Sequence, residues 1–141
     1  MAKALYYEAR GEGERGQKAV AEVILHRVRS GKHPNTICGV VHEPYQFSFL
    51  NDGSTQRKLD VEAWEASTAL AKRITRGEIV SGLTQRALFY HEATIRPKWT
   101  KAMVRTARIG NHVFYRQKDR KSQPAATRLE RGPIRLNRTT L

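Results

Sequence analysis

Glu8-Ala9-Arg10-Gly11-Glu12, followed by Gly16-Gln17-Lys18-Ala19-Val20-Ala21-Glu22-Val23, is the stretch on which the reading of this chain turns. It sets two carboxylates four residues apart where one helix runs into a glycine-broken turn and a second helix begins. A carboxylate leaving a buried helix end projects into a cleft while its backbone stays fixed. That suits a general acid, which must lie within hydrogen-bond reach of the atom it protonates.

Working outward, residues 2–10 read as a short helix with Ala4, Leu5, Tyr6 and Tyr7 as its apolar contacts. Gly11 and Gly13 interrupt it. Residues 15–29 read as a longer helix, because Ala19, Val20, Val23, Ile24 and Val28 recur at helical spacing. Arg27 and Arg29 fall in its last turn, with Gly31 just beyond. Residues 33–50, with Pro34, Gly39 and Pro44, read as loop with one helical turn, and 51–58 as an exposed connection. Asp60 is placed to cap a helix over about 59–76, acidic at its start and basic at its end. Ala87–His91 reads as a strand. Val104–Ile109 and His112–Tyr115 read as a hairpin through Gly110-Asn111. The fold class is therefore α+β, mainly helical first with a small antiparallel sheet late.

Composition narrows the chemistry. The chain has 141 residues, 39% of them hydrophobic, which suits one domain with one modest core. A single cysteine, Cys38, excludes an internal disulfide framework and a cysteine metal cluster, and it reads as a small core hydrophobe. No apolar run approaches the ~20 residues of a bilayer span. The N-terminus lacks a signal-peptide apolar stretch, so synthesis in the cytoplasm without classical export is expected, and another agent must give access to any target that lies outside. His26, His33, His42, His91 and His112 form no recognised ligand set, and Gly11-Glu12-Gly13 lacks the strand, spacing and Lys of a phosphate loop. No metal and no cofactor are expected.

The net charge of +13 predicts anionic partners. Residues 1–116 hold +8 of it and residues 117–141 hold +5. The second segment has no aromatic residue and reads as a basic, flexible extension of the 1–116 domain. The cations are spread along the chain rather than set in one aromatic-interleaved stripe, so no specific nucleic acid is expected. The charge does not choose among the remaining polyanions, anionic lipid or an acidic polymer.

Several ordered blocks carry a family likeness. Tyr7-Glu8-Ala9-Arg10-Gly11-Glu12, Gly16 to Val28, Pro34 to Val41, Gln46-Phe47-Ser48, Ala87-Leu88-Phe89-Tyr90, Lys98-Trp99 and Thr106 to Tyr115 together resemble the SleB-type cell wall hydrolase family. The resemblance covers nearly all of residues 2–116. It implies a lysozyme-like fold with a sugar groove and a lytic transglycosylase activity on peptidoglycan, cleaving the β-1,4 bond between N-acetylmuramic acid and N-acetylglucosamine. It makes Glu8 the expected acid. The family usually has Asn where this chain has His26, which reads as structural. Spore members also carry an export signal and a wall-binding domain that this chain does not show, so the expected setting is a phage endolysin, reaching the wall once the membrane is opened; a monomer is expected, with teichoic acids or lipopolysaccharide phosphates as secondary partners of its basic surface and tail.

Candidate substrate contacts are Glu12, Gln46, Phe47, Ser48, Tyr90 and Trp99. Glu12, Phe47 and Tyr90 each have a plainer reading. Glu12 could pair with Arg10, Arg15 or a backbone amide. Phe47 and Phe49 could anchor their loop in the core. Tyr90 could be buried against a carbonyl. Gln46 or Ser48 could bond sugar amides or position the 6-hydroxyl, Trp99 could stack on a sugar face, and Trp64 reads as core. A hydrolytic muramidase, with Glu12 or a distant Asp activating water, is the enzymatic alternative. A basic nucleic-acid or envelope-binding protein is the non-enzymatic one.

Overall fold

The computed structural model describes residues 1–44, 46–78 and 82–119. Most of the expected 117–141 extension lies outside them. The chain starts with α1 (Ala2–Ala9), passes through a 3-10 turn at Arg10–Glu12, and continues as α2 (Gly13–Arg29). Gly13 makes the junction at φ 73°, a left-handed conformation that glycine adopts without a Cβ clash. α2 thus begins two residues earlier than its apolar pattern suggests.

α3 (Ile37–Val41) is a single turn capped by Thr36, whose hydroxyl accepts from the Gly39 N–H. Its Ile37, Val40 and Val41 sit at i, i+3 and i+4 and turn inward. Cys38 lies off that stripe and is exposed, not a core residue. α4 (Val61–Thr75) starts at the expected cap: Asp60 accepts from the Ala63 N–H at 3.0 Å. Asp60 is fixed in turn by Tyr6, whose hydroxyl accepts from the Asp60 N–H at 2.9 Å. Trp64 is only half-buried and packs edge-on to Tyr6.

The described strands are β1 (Phe89–Glu92), β2 (Met103–Ile109) and β3 (His112–Gln117), antiparallel in the order β1-β3-β2. The β2–β3 hairpin turns through Gly110-Asn111 as expected. β1 begins two residues later than the apolar run that marks it, although the Leu88 N–H already donates to the Tyr115 carbonyl. Directly paired residues share a face and alternate residues change face. Tyr90, Glu92, His112 and Phe114 therefore face one way, and Phe89, His91, Val113 and Tyr115 the other.

α2 lies between two apolar clusters. Val20, Ala21 and Ile24 pack with Ala4, Leu5 and Ala9 of α1, Val40 and Val41 of α3, Phe47 and Phe49, and Leu70, Ala71 and Ile74 of α4. Ala19 and Val23, on another side of α2, pack with Ala87, Ile109 and Phe114 under the sheet. The helix is buried nearly all round, so it holds helical lobe and sheet at a fixed distance.

Candidate active site

Glu8 stands in the last turn of α1. Ala4, Leu5 and Ala9 carry the inward face of that helix, which leaves Glu8 half-buried at the margin between α1 and the sheet. Across from it, the Tyr90 hydroxyl donates to Glu8 Oε2 at 3.2 Å. Tyr90 is aimed by its own neighbours: edge-on to His112 at 5.0 Å and tilted against Phe114 at 5.6 Å. Its hydroxyl thus bonds the acid itself, not a backbone carbonyl.

Burial pushes the Glu8 carboxyl up to about 7. The Tyr90 hydrogen bond and the Arg27 charge oppose that rise, while the nearby carboxylates of Glu92 and Asp52 reinforce it. Burial and the Glu8 charge push the Tyr90 phenol well above its usual value, so it remains a donor at neutral pH.

Arg27, Asp52 and Glu92 were not singled out from the sequence. Arg27 is 4% exposed. Its Nε donates to the Leu88 carbonyl at 2.7 Å, and its guanidinium lies 5.9 Å from the Phe47 ring centroid and 5.8 Å from that of Phe89. Burial lowers its pKa against the opposing charges of Tyr90, Glu43 and Glu8. Asp52 is exposed, and Ser54 holds its carboxyl below the usual range by donating from both N–H and hydroxyl. Glu92 had the one readable signal, since it lies two residues beyond Tyr90 on a strand and shares its face.

The remaining sequence candidates divide. Gln46 and Ser48 are exposed on the loop that leads to Asp52, and the Ser48 carbonyl accepts from the Asp52 N–H. Phe47, expected at the groove, is 2% exposed and belongs to the core, because the loop needs an apolar anchor between two exposed polar residues. Glu12 takes the backbone-amide reading: its Oε2 accepts from the Asn111 N–H at 2.9 Å, tying the α1–α2 junction to the hairpin turn. Trp99 packs on Phe89, His91 and Tyr115, which places it on the sheet face away from Tyr90 and Glu8. His26 donates from Nδ1 to the Ala87 carbonyl at 3.1 Å, a tie to the chain entering β1. Among the described residues no group of His, Cys, Asp and Glu is placed to hold a metal ion.

A half-buried acid at the end of a helix, facing a small antiparallel sheet, is an arrangement that can be compared with known proteins. The model of the cell wall hydrolase family matches residues 11–115. The chain belongs to this family. The match begins three residues after Glu8. Among similar family members are the spore cortex-lytic enzymes of Bacillus cereus, 37% identical over 119 residues, and of Bacillus subtilis, 34% identical over 117. Each alignment covers 81% of this chain but only 42% and 35% of those enzymes, so the chain spans about two fifths of their length. Two solved structures share the fold. The catalytic domain of the germination-specific lytic transglycosylase SleB from Bacillus anthracis superposes with a TM-score of 0.64 at 36% identity, over 82% of this chain and 90% of that one. The Bacillus cereus SleB catalytic domain gives 0.63 at 35%, over 82% and 86%. The family's lysozyme-like α+β fold is the fold of this chain.

Proposed function

We propose that the chain is a peptidoglycan lytic transglycosylase in which Glu8 is both acid and base. The observation that carries this is a carboxyl held at about 7 and bonded by Tyr90, in a fold shared with a lytic transglycosylase domain. Such a carboxyl is largely protonated just below neutral pH, as a general acid must be. It donates its proton to the oxygen between N-acetylmuramic acid and N-acetylglucosamine, and the C1–O bond breaks with its electron pair leaving on that oxygen. Glu8, now ionised beside Asp52 and Glu92, faces a cation-like sugar. The muramic acid 6-hydroxyl then attacks C1 and gives its proton back to Glu8, which yields a 1,6-anhydro end. Gln46 and Ser48, exposed beside Asp52, are the proposed groups for orienting that sugar.

A second reading is hydrolysis, and the Glu92 and Asp52 carboxylates favour it because both lie near enough to act on Glu8 and either could hold an attacking water. Mass spectrometry of purified peptidoglycan incubated with the wild type and with Glu8→Gln distinguishes them. Anhydro ends from the wild type, falling about 10²–10⁴-fold in the variant, are the expected result. Reducing ends would assign hydrolysis, and unchanged cleavage by Glu8→Gln would remove Glu8 from the chemistry. The setting we propose is host lysis by a phage endolysin acting as a monomer. It rests on the sequence reading and predicts that lysis from the cytoplasm requires a co-expressed membrane-opening protein.

A further inference from the structure

Residues 93–118 contain Arg96, Lys98, Lys101, Arg105, Arg108, Arg116 and Lys118 and not one Asp or Glu. They form the approach to β2, β2 itself and β3. Among the described residues, none of Arg96, Lys98, Lys101, Arg105 and Arg108 makes an ion pair, and all five are exposed. Unpaired cations clustered without acids are a source of field rather than of stability.

The register of β2 decides where that field points. Arg105 and Arg108 are three apart, so a regular strand would send them to opposite faces. The ladder instead shifts between Arg105 and Ala107: Arg105 pairs with Tyr115, Ala107 with Phe114 and Arg108 with Val113. Thr106 is the extra residue, a bulge. Val113 and Tyr115 share the face turned away from α2, so the bulge brings both arginines onto that face. Without the slip one of the two would point at the α2 side, toward Ala19 and Val23. Beside them, the 3-10 turn Lys98–Ala102 lays Trp99, 37% exposed, over Phe89, His91 and Tyr115, and the exposed Lys98 and Lys101 belong to the same turn.

We propose that this sheet face, formed by Arg105, Arg108, Lys98, Lys101 and Trp99, docks a phosphodiester-linked anionic polymer carried on the wall glycan. The proposal rests on the peptidoglycan reading, which puts the glycan strand at Glu8 and Tyr90, on the margin of the opposite, α2-packed face of the same sheet. A polymer attached to the glycan then meets the cations while the sugar occupies the groove. Single-stranded nucleic acid is disfavoured, because stacking needs a row of open rings and here His91 and Tyr115 stack on each other at 5.3 Å under Trp99.

The test uses the full chain in the Glu8→Gln background, so that binding is read without digestion. Its probes are sacculi carrying the phosphodiester polymer, the same sacculi stripped of it by acid, and duplex DNA. Tighter binding to decorated than to stripped sacculi is expected, weakening steeply with salt. Arg105→Ala/Arg108→Ala should bind decorated sacculi about tenfold more weakly at low salt. With Glu8 restored, the same pair should cleave stripped sacculi at the wild-type rate. Equal binding to both sacculi, or wild-type binding by the double variant, would overturn the proposal. A variant that lost DNA binding and kept wall binding would overturn it in favour of nucleic acid. Cleavage of stripped sacculi by the wild type checks the peptidoglycan reading separately.

Discussion

Burial in the last turn of α1 is the main reason the Glu8 carboxyl is pushed up to about 7. The raised pKa has a thermodynamic consequence with a definite sign. The folded carboxyl titrates at about 7 and the unfolded one near 4.5. Between those values the folded chain holds a proton that the unfolded chain releases, so stability falls as pH rises through that window. Well above pH 7 the full cost reaches about 3 kcal/mol. Glu8→Gln carries no such charge. Urea unfolding should show the variant more stable than the wild type by that amount at pH 8, with the gap closing by pH 4. A gap independent of pH would show that Glu8 is not held protonated. Glu8 and Tyr90 were both legible as residues. Their meeting was not, because 82 positions separate them and no local pattern encodes the contact.

At the scale of elements, the junction between α1 and α2 and the β2–β3 turn act on each other through Glu12. Its carboxylate reaches the Asn111 N–H only because Gly110 has no side chain: a Cβ there would stand 1.8 Å from Glu12 Oε2. Gly110 also has φ 56°, where an L side chain is strained. Gly110→Ala should therefore cost about 1–3 kcal/mol, read by thermal or urea unfolding. In a Glu12→Ala background the part due to the clash should vanish and only the backbone strain remain, so the penalty should shrink; an identical penalty in both backgrounds would deny the coupling. Local signals located α2, the Asp60 cap and the Gly110-Asn111 turn because caps, turns and apolar spacing act within a few residues. The same logic misjudged Cys38, whose apolar neighbours suggested a buried run. A one-turn helix buries only the positions spaced three and four apart.

For the whole molecule, the deciding feature is that α2 serves two cores at once. It fixes the helical lobe with Glu8 against the sheet with Tyr90, and the sheet separates its α2-packed face from a cationic one. The amino-acid order by itself determined the α+β class, the helices and the hairpin, the excess of positive charge and the family, and it put Glu8 forward as the candidate acid. These follow from composition, period and short motifs, which are properties of neighbours along the chain. Only the tertiary structure decided that Glu12 serves the hairpin, that Phe47 is core, that Trp99 lies away from Glu8, and that Arg27, Asp52 and Glu92 set the electrostatics around the acid. It alone decided the face that Arg105 and Arg108 share, since a one-residue slip in a ladder exchanges faces without changing the composition of the strand. Burial and charge at a site are sums over groups distant in sequence, and those sums exist only once the chain has folded.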